Sequence, residues 1–244
     1  MENYTEYSSL TSTKSGNDIA LASSFSKLMQ KVYLWMTFAL VISGLAAWDV
    51  AAHPNWLYAI YSSKAIFFGL IIAELAIVFI LSGMINRLSL PVAILMFIAY
   101  SLLNGVTLSY IFIAYSGESL ATVFFITAGT FTAMALVGYF IKKDLSGIGR
   151  ILMMSLIGLI IASVVNIFLG NGILHMIISY VGVAIFVGLT AYDTQKIKQM
   201  MMQASMTEGV SNNTLKLALL GALTLYLDFI NLFLMLLRIF GSRD

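Results

Sequence analysis

Residues 223–240 read LTLYLDFINLFLMLLRIF. All but four of these side chains are apolar or aromatic; the exceptions are Thr224, Asp228, Asn231 and Arg238. A run this long and oily spans a bilayer as a helix, since about 20 apolar residues cover a hydrocarbon core of ~30 Å. A carboxylate inside such a run costs roughly 2.5–3.5 kcal/mol to insert unless it meets a partner or water. The spacing says where that partner lies. Gly221, Thr224, Asp228 and Asn231 recur at intervals of three, four and three, which stacks them on one helical face. Small and polar residues on one stripe mark a face turned toward neighbouring protein. Asp228 is therefore expected to point into a bundle. The other faces are Leu, Phe, Ile and Met, which suits a helix enclosed by neighbours.

The whole chain carries the same signature. Its 244 residues are 60% hydrophobic and 10% charged, against about 25% charged in soluble domains. The class is an all-α integral membrane protein. Seven stretches are long and apolar enough to span: 33–52, 65–85, 90–115, 120–141, 151–169, 173–192 and 217–240. They far exceed the ~10-residue alternating segments of a membrane barrel, and a helix satisfies its own backbone in lipid. The domain reading is a polar tail at 1–32, a seven-helix domain at 33–240 and a short tail at 241–244.

Lysine and arginine set the expected orientation. With seven spans, one side holds Lys14, Lys27, Lys31, Arg87, Lys142, Lys143, Arg150, Lys196, Lys198 and Lys216; the other holds Lys64, Arg238 and Arg243. The bias places the N-terminus in the cytoplasm and the C-terminus outside. The polar start does not resemble a cleaved signal peptide, so no cleavage is expected. Before the first span, Leu21, Phe25, Leu28, Met29 and Val32 recur at helical spacing beside Lys27 and Lys31. This reads either as an amphipathic helix on the inner leaflet or as an extension of the first span. In KKDLSGIGR, residues 142–150, Ser146 is the expected N-cap of the fifth span. The longest flexible connection is expected near residues 195–213, where Gly209, Ser211, Asn212 and Asn213 cluster.

Composition also excludes functions. A net charge of +2 gives no reason to expect nucleic-acid binding, and the absence of cysteine removes disulfides, thiol nucleophiles and thiolate metal sites. Two histidines without an HExxH pair make zinc unexpected, and no other cofactor is expected. No Ser-Lys pair or Gly-x-Ser-x-Gly set points to hydrolysis, so the chain is not expected to be an enzyme.

The charges inside or beside the spans are the candidate functional groups. Besides Asp228 they are Glu74, in IIAEL at the middle of the second span, Asp193 in GLTAYDTQKIK, and Arg87 at the end of the second span. Each has a structural alternative: a neutral acid bonded within the bundle for Asp228 and Glu74, a solvated helix end for Asp193, and an interfacial anchor for Arg87. Helices six and seven are sequence neighbours and antiparallel, so Asp193 and Asp228 can meet. Yet Asp228 lies eleven residues past Leu217, roughly 16 Å at 1.5 Å per residue. An Asp193 at a helix end would then sit at a different depth.

Residues 188–198, GLTAYDTQKIK, and 220–241, LGALTLYLDFINLFLMLLRIFG, resemble the bacterial Bax inhibitor-1 family, as do KKDLSGIGR and GLIIAELAIVFILSGMINRLS. The resemblance covers all seven spans. It implies six helices surrounding a central seventh. It further implies that Asp193 and Asp228 pair as the pH sensor of a calcium leak, and that Arg87, the nearest match to the family's arginine, latches the pair. Two adjacent carboxylates cannot both ionise cheaply and titrate as one unit, which suits a two-state element. As oxygen ligands, Asp193 and Asp228 could also hold calcium, with Glu74, Thr224 and Asn231 along an ion path. The leading expectation is a pH-sensitive calcium leak of a bacterial inner membrane. The alternative is a regulator of a membrane-anchored protease, gripped through the polar tail.

Overall fold

The computed structural model describes the backbone of residues 2–242 and the side chains of residues 21–242. The side chains of the tail up to residue 20, and the last two residues, lie outside the described residues. Among the described residues the fold is all helix: α1 (Glu2–Ala52), α2 (Pro54–Ser62), α3 (Lys64–Met84), α4 (Leu90–Leu108), α5 (Ile111–Ala114), α6 (Gly117–Phe140), α7 (Ser146–Leu169), α8 (Gly172–Thr207) and α9 (Asn212–Phe240), with a 3₁₀ turn at Ile85–Arg87. Seven of them, α1 from Leu21 together with α3, α4, α6, α7, α8 and α9, are long and apolar enough to cross a membrane.

The breaks between helices have local causes. Pro54 and Pro91 begin α2 and α4, where proline's fixed φ is already helical and its missing N–H costs nothing. The turn into α9 uses Gly209 at φ +62°, a left-handed backbone that glycine adopts without strain. Ser211 and Thr214 then close a reciprocal cap: Thr214 N donates to Ser211 Oγ at 3.2 Å, and Ser211 N donates to Thr214 Oγ1 at 2.8 Å.

Of the two readings of residues 21–32 the extension of the first span holds, and two other expectations change. α1 runs unbroken from Glu2 to Ala52, and Leu28, Met29 and Val32 are buried in the core. Their apolar stripe therefore faces the bundle, where close packing holds it, rather than the leaflet. Ser146 is the first residue of α7 and not its cap; it donates N–H and Oγ–H to Asp144 Oδ1 at 2.9 and 2.7 Å. Those two bonds hold the exposed Asp144 carboxyl below the usual carboxylate range. Finally, the flexible connection at 195–213 shrinks to residues 208–211, because α8 continues to Thr207 with Met201, Ala204 and Ser205 buried.

α9 is the most enclosed span. Of its most apolar stretch 67% is buried, against 33% or less in every other span. It packs against α1, α4, α6 and α8; α3 packs on α4, and α7 on α8. Leu225, Tyr226 and Leu232 are fully covered, while Phe79, Phe125, Ile167 and Phe168 on the outer helices are widely exposed. In lipid, exposed apolar surface is not penalised, so helix association rests on close van der Waals contact and interhelical hydrogen bonds. The contact of α6 with α8 is the tightest case: a Cβ on Gly138 would stand 2.1 Å from the carbonyl oxygen of Ala191.

Candidate functional site: an aspartate pair at a cleft between the spans

The length of α8 removes the mismatch in depth. Counted from the end where α8 and α9 join, Asp193 lies fourteen residues before Thr207 and Asp228 sixteen residues past Asn212. At 1.5 Å per residue these are about 21 and 24 Å, so the two side chains come to the same level. Both are buried, each 5% exposed, and their carboxyls lie close enough to interact directly. A hydrogen bond between two carboxyls needs a proton on one of them. Oδ2 of Asp228 is buried and receives no hydrogen bond from any other described group.

The pair borders an open cleft of about 610 Å³ lined by α3, α4, α7, α8 and α9. Asp193, Thr224, Asp228 and Asn231 line it, and Glu74 faces it from α3. All five of these sequence candidates therefore share one space. Thr224 Oγ1 donates to Leu220 O at 3.1 Å and Asn231 Nδ2 to Leu227 O at 2.8 Å, which leaves the Asn231 carbonyl oxygen available to the cavity. Among the described residues no three His, Cys, Asp or Glu side chains gather into a metal-binding cluster. Calcium ordinarily takes six to eight oxygens, so the pair alone would supply only part of its shell.

Glu74 is held from behind. Asn104 Nδ2 donates to its Oε2 at 3.3 Å and Thr107 Oγ1 donates to its Oε1. Asn104 Oδ1 accepts from Tyr226 OH at 2.8 Å, and Tyr226 OH lies 2.7 Å from Ser43 Oγ. This chain of polar groups joins α3, α4, α9 and α1 through a buried tyrosine two residues from Asp228. A fully satisfied network of this kind fixes helix register.

Arg87 is the candidate the structure does not bring to the pair. It is exposed on the 3₁₀ turn and does not line the cavity. The cation whose field reaches Asp193 is Lys196, one helical turn along α8. The turn that carries Arg87 is instead clamped by Lys216, a buried lysine near the start of α9, whose Nζ donates to Leu88 O at 3.1 Å and Asn86 O at 3.5 Å. Gln195, in the same YDTQ motif as Asp193, accepts from Leu145 N at 2.9 Å and donates to Lys143 O at 2.9 Å, pinning the α6–α7 connection. Lys216→Met should therefore destabilise the protein by about 1.5–3 kcal/mol, the worth of hydrogen bonds to a charged donor. A thermal melt in detergent checks this, with Lys216→Arg expected to lose less; an unchanged melt for Lys216→Met would remove the clamp.

A helical bundle of seven membrane-spanning segments, with a pair of acids buried between its last two spans, defines a multi-pass membrane protein. The chain belongs to the family described as "Inhibitor of apoptosis-promoting Bax1", the Bax inhibitor-1 family, which matches residues 25–244. It is 50% identical over 215 residues to inner membrane protein YbhL of Escherichia coli strain K12, covering 88% of this chain and 91% of that one. An uncharacterized protein of Deinococcus radiodurans is 41% identical over 216 residues, 88% of this chain and 90% of the relative. An uncharacterized membrane protein of Streptococcus pyogenes serotype M6 is 37% identical over 228 residues, 93% of this chain and 96% of the relative.

Proposed function

We propose that this protein is a pH-responsive, non-enzymatic cation leak in a bacterial inner membrane, with calcium as its cargo and Asp193 and Asp228 as the titrating element. The observation that carries the reading is the contact of these two buried acids at the wall of a cavity that also holds Glu74, Thr224 and Asn231. While the pair shares a proton it bridges α8 to α9. When that proton leaves, two like charges face each other in a low dielectric. A cation, water or a separation of the two helices relieves the repulsion, and each of these couples flux to pH. The oxygens of Glu74 and Asn231 extend a hard-ligand lining suited to calcium. The inner-membrane assignment draws on the name carried by the Escherichia coli relative.

Calcium flux into proteoliposomes of the purified protein, measured over a pH series, tests the reading. Expected is a protein-dependent flux that changes with pH; flux equal to that of protein-free vesicles at every pH would sink it. The orientation follows from the lysine bias. A reporter fused after Asp244 should be active outside the cytoplasm and one inserted at Asn212 inside it, and two reporters on the same side would contradict that arrangement.

A further inference from the structure

α1 and α6 flank α9 on the side of the bundle away from the aspartate cavity, and they do not close over it. α1 packs on α4, α8 and α9, and α6 on α8 and α9. Two grooves, of about 650 and 350 Å³, lie between α1 and α6 and share Leu40, Phe124 and Phe229. Together they form one cleft along the height of the bundle, floored by Phe229, Ile230 and Phe233 of α9. Its lining is mostly apolar along its length, which suits an acyl chain.

The two ends of the cleft differ. The end nearest Phe233 is lined almost wholly by apolar groups. The other end carries Ser26, Gln30, Tyr33 and Tyr139. Three lysines from two parts of the chain stand by that polar end. Lys142 and Lys143 are exposed just past Phe140, which lines it, and Lys198 reaches across from α8 to Tyr139. Lys198 Nζ donates to Tyr139 O at 2.6 Å and lies 4.8 Å from the centre of the Tyr139 ring, so its charge is fixed at the mouth. Asp144 is the acid nearest in sequence to this group, and its carboxyl is engaged by Ser146.

An apolar slot at membrane depth, opening beneath a cluster of cations, has the shape and charge of an amphiphile with a negative head. We infer that the α1–α6 cleft binds an anionic phospholipid of the surrounding membrane, its acyl chain against Phe124 and Phe229 and its phosphate among Lys142, Lys143 and Lys198. The lipid completes the packing of α9 on the side between α1 and α6. Clusters of basic residues at a membrane face select acidic lipids, each lysine contributing about a fivefold factor.

The chain has no cysteine, so a single one can be placed at will. Thr132→Cys puts a fluorophore in the cleft, and Ile161→Cys puts one on the exposed face of α7 as a control. The labelled full-length protein is reconstituted in phosphatidylcholine vesicles containing a small fraction of brominated phosphatidylglycerol or, separately, brominated phosphatidylcholine. Expected is at least about fivefold stronger quenching by the brominated phosphatidylglycerol at residue 132, no such preference at residue 161, and loss of the preference in the Lys142→Gln, Lys143→Gln, Lys198→Gln variant. Equal quenching by the two lipids, or a preference that survives removal of the lysines, would overturn the assignment in favour of ordinary boundary lipid. Absence of quenching by either lipid at residue 132 would overturn it in favour of a protein covering the cleft.

Discussion

Asp228→Asn is expected to yield a protein that folds, carries calcium, and has lost most of the dependence of flux on pH. Asparagine keeps the size and hydrogen-bonding reach of aspartate, so the partner of Asp193 stays in place. What disappears is the second negative charge. In the wild type, deprotonation leaves two carboxylates in contact, both buried to 5% exposure, and no other described group offers Asp228 Oδ2 a hydrogen bond that would soften the repulsion. In the variant, Asp193 meets a neutral amide whatever the pH, and Lys196 remains to balance it. Asp193→Asn should flatten the profile in the same way. The double variant should add little, because two groups acting as one unit are strongly non-additive. The measurement is calcium flux in proteoliposomes across a pH series for the four proteins side by side. Wild-type pH profiles in both single variants would return Asp228 to the role of a buried structural acid.

Gly138→Ala is expected to be the most damaging single methyl that can be added to the bundle. Its Cβ would stand 2.1 Å from Ala191 O and 2.8 Å from the Ala191 carbonyl carbon. Both are backbone atoms in the middle of α8, so no side-chain rotation can make room. Overpacking typically costs about 1–3 kcal/mol, and more where the neighbour is rigid; about 3 kcal/mol or more is expected here. The alternative to unfolding is that α6 and α8 move apart, and Ala191 is two residues from Asp193. A detergent melt and the flux profile should therefore suffer together. Gly129→Ala on the same helix, where an added Cβ meets nothing within 4 Å, is the matched control. It should be neutral or slightly stabilising, since alanine is the better helix former by about 1 kcal/mol. A Gly138→Ala protein as stable as this control would show that the close approach of α6 to α8 is not real.

Much of the architecture could be read from residues because its signals are local. A run of apolar residues is enough to mark a span, and the three-four-three spacing of Gly221, Thr224, Asp228 and Asn231 is enough to mark the inward face of α9. The end of α8 was not legible. Hydropathy reports where a helix leaves lipid, whereas the helix itself continues through the polar residues KIKQMMMQASMT, held by Met201, Ala204 and Ser205 packing inside the fold. Ending the helix at Tyr192 hid two things at once, the matching depth of the aspartates and the position of Lys196 on the same helical face as Asp193. Gln195 and Lys216 left no trace for another reason. Their partners are backbone carbonyls and amides about 50 and 130 residues away, and any residue has a carbonyl. Charge counting singled out Arg87, but the carbonyls on either side of it are what the fold uses.

The length of α8 has a mechanical meaning as well. Its 36 residues measure about 54 Å, well beyond a hydrocarbon layer of ~30 Å, so the α8–α9 hairpin stands out from the bilayer as a stiff rod. The aspartate pair lies about 21 Å from its tip at Thr207, near the place where the rod leaves the membrane. That makes the pair a fulcrum. A tilt of α8 by about 10° around Asp193 would carry the tip sideways by nearly 4 Å. If the pair titrates as proposed, a proton gained or lost there would be displayed as a displacement of the turn at Gly209, outside the bilayer.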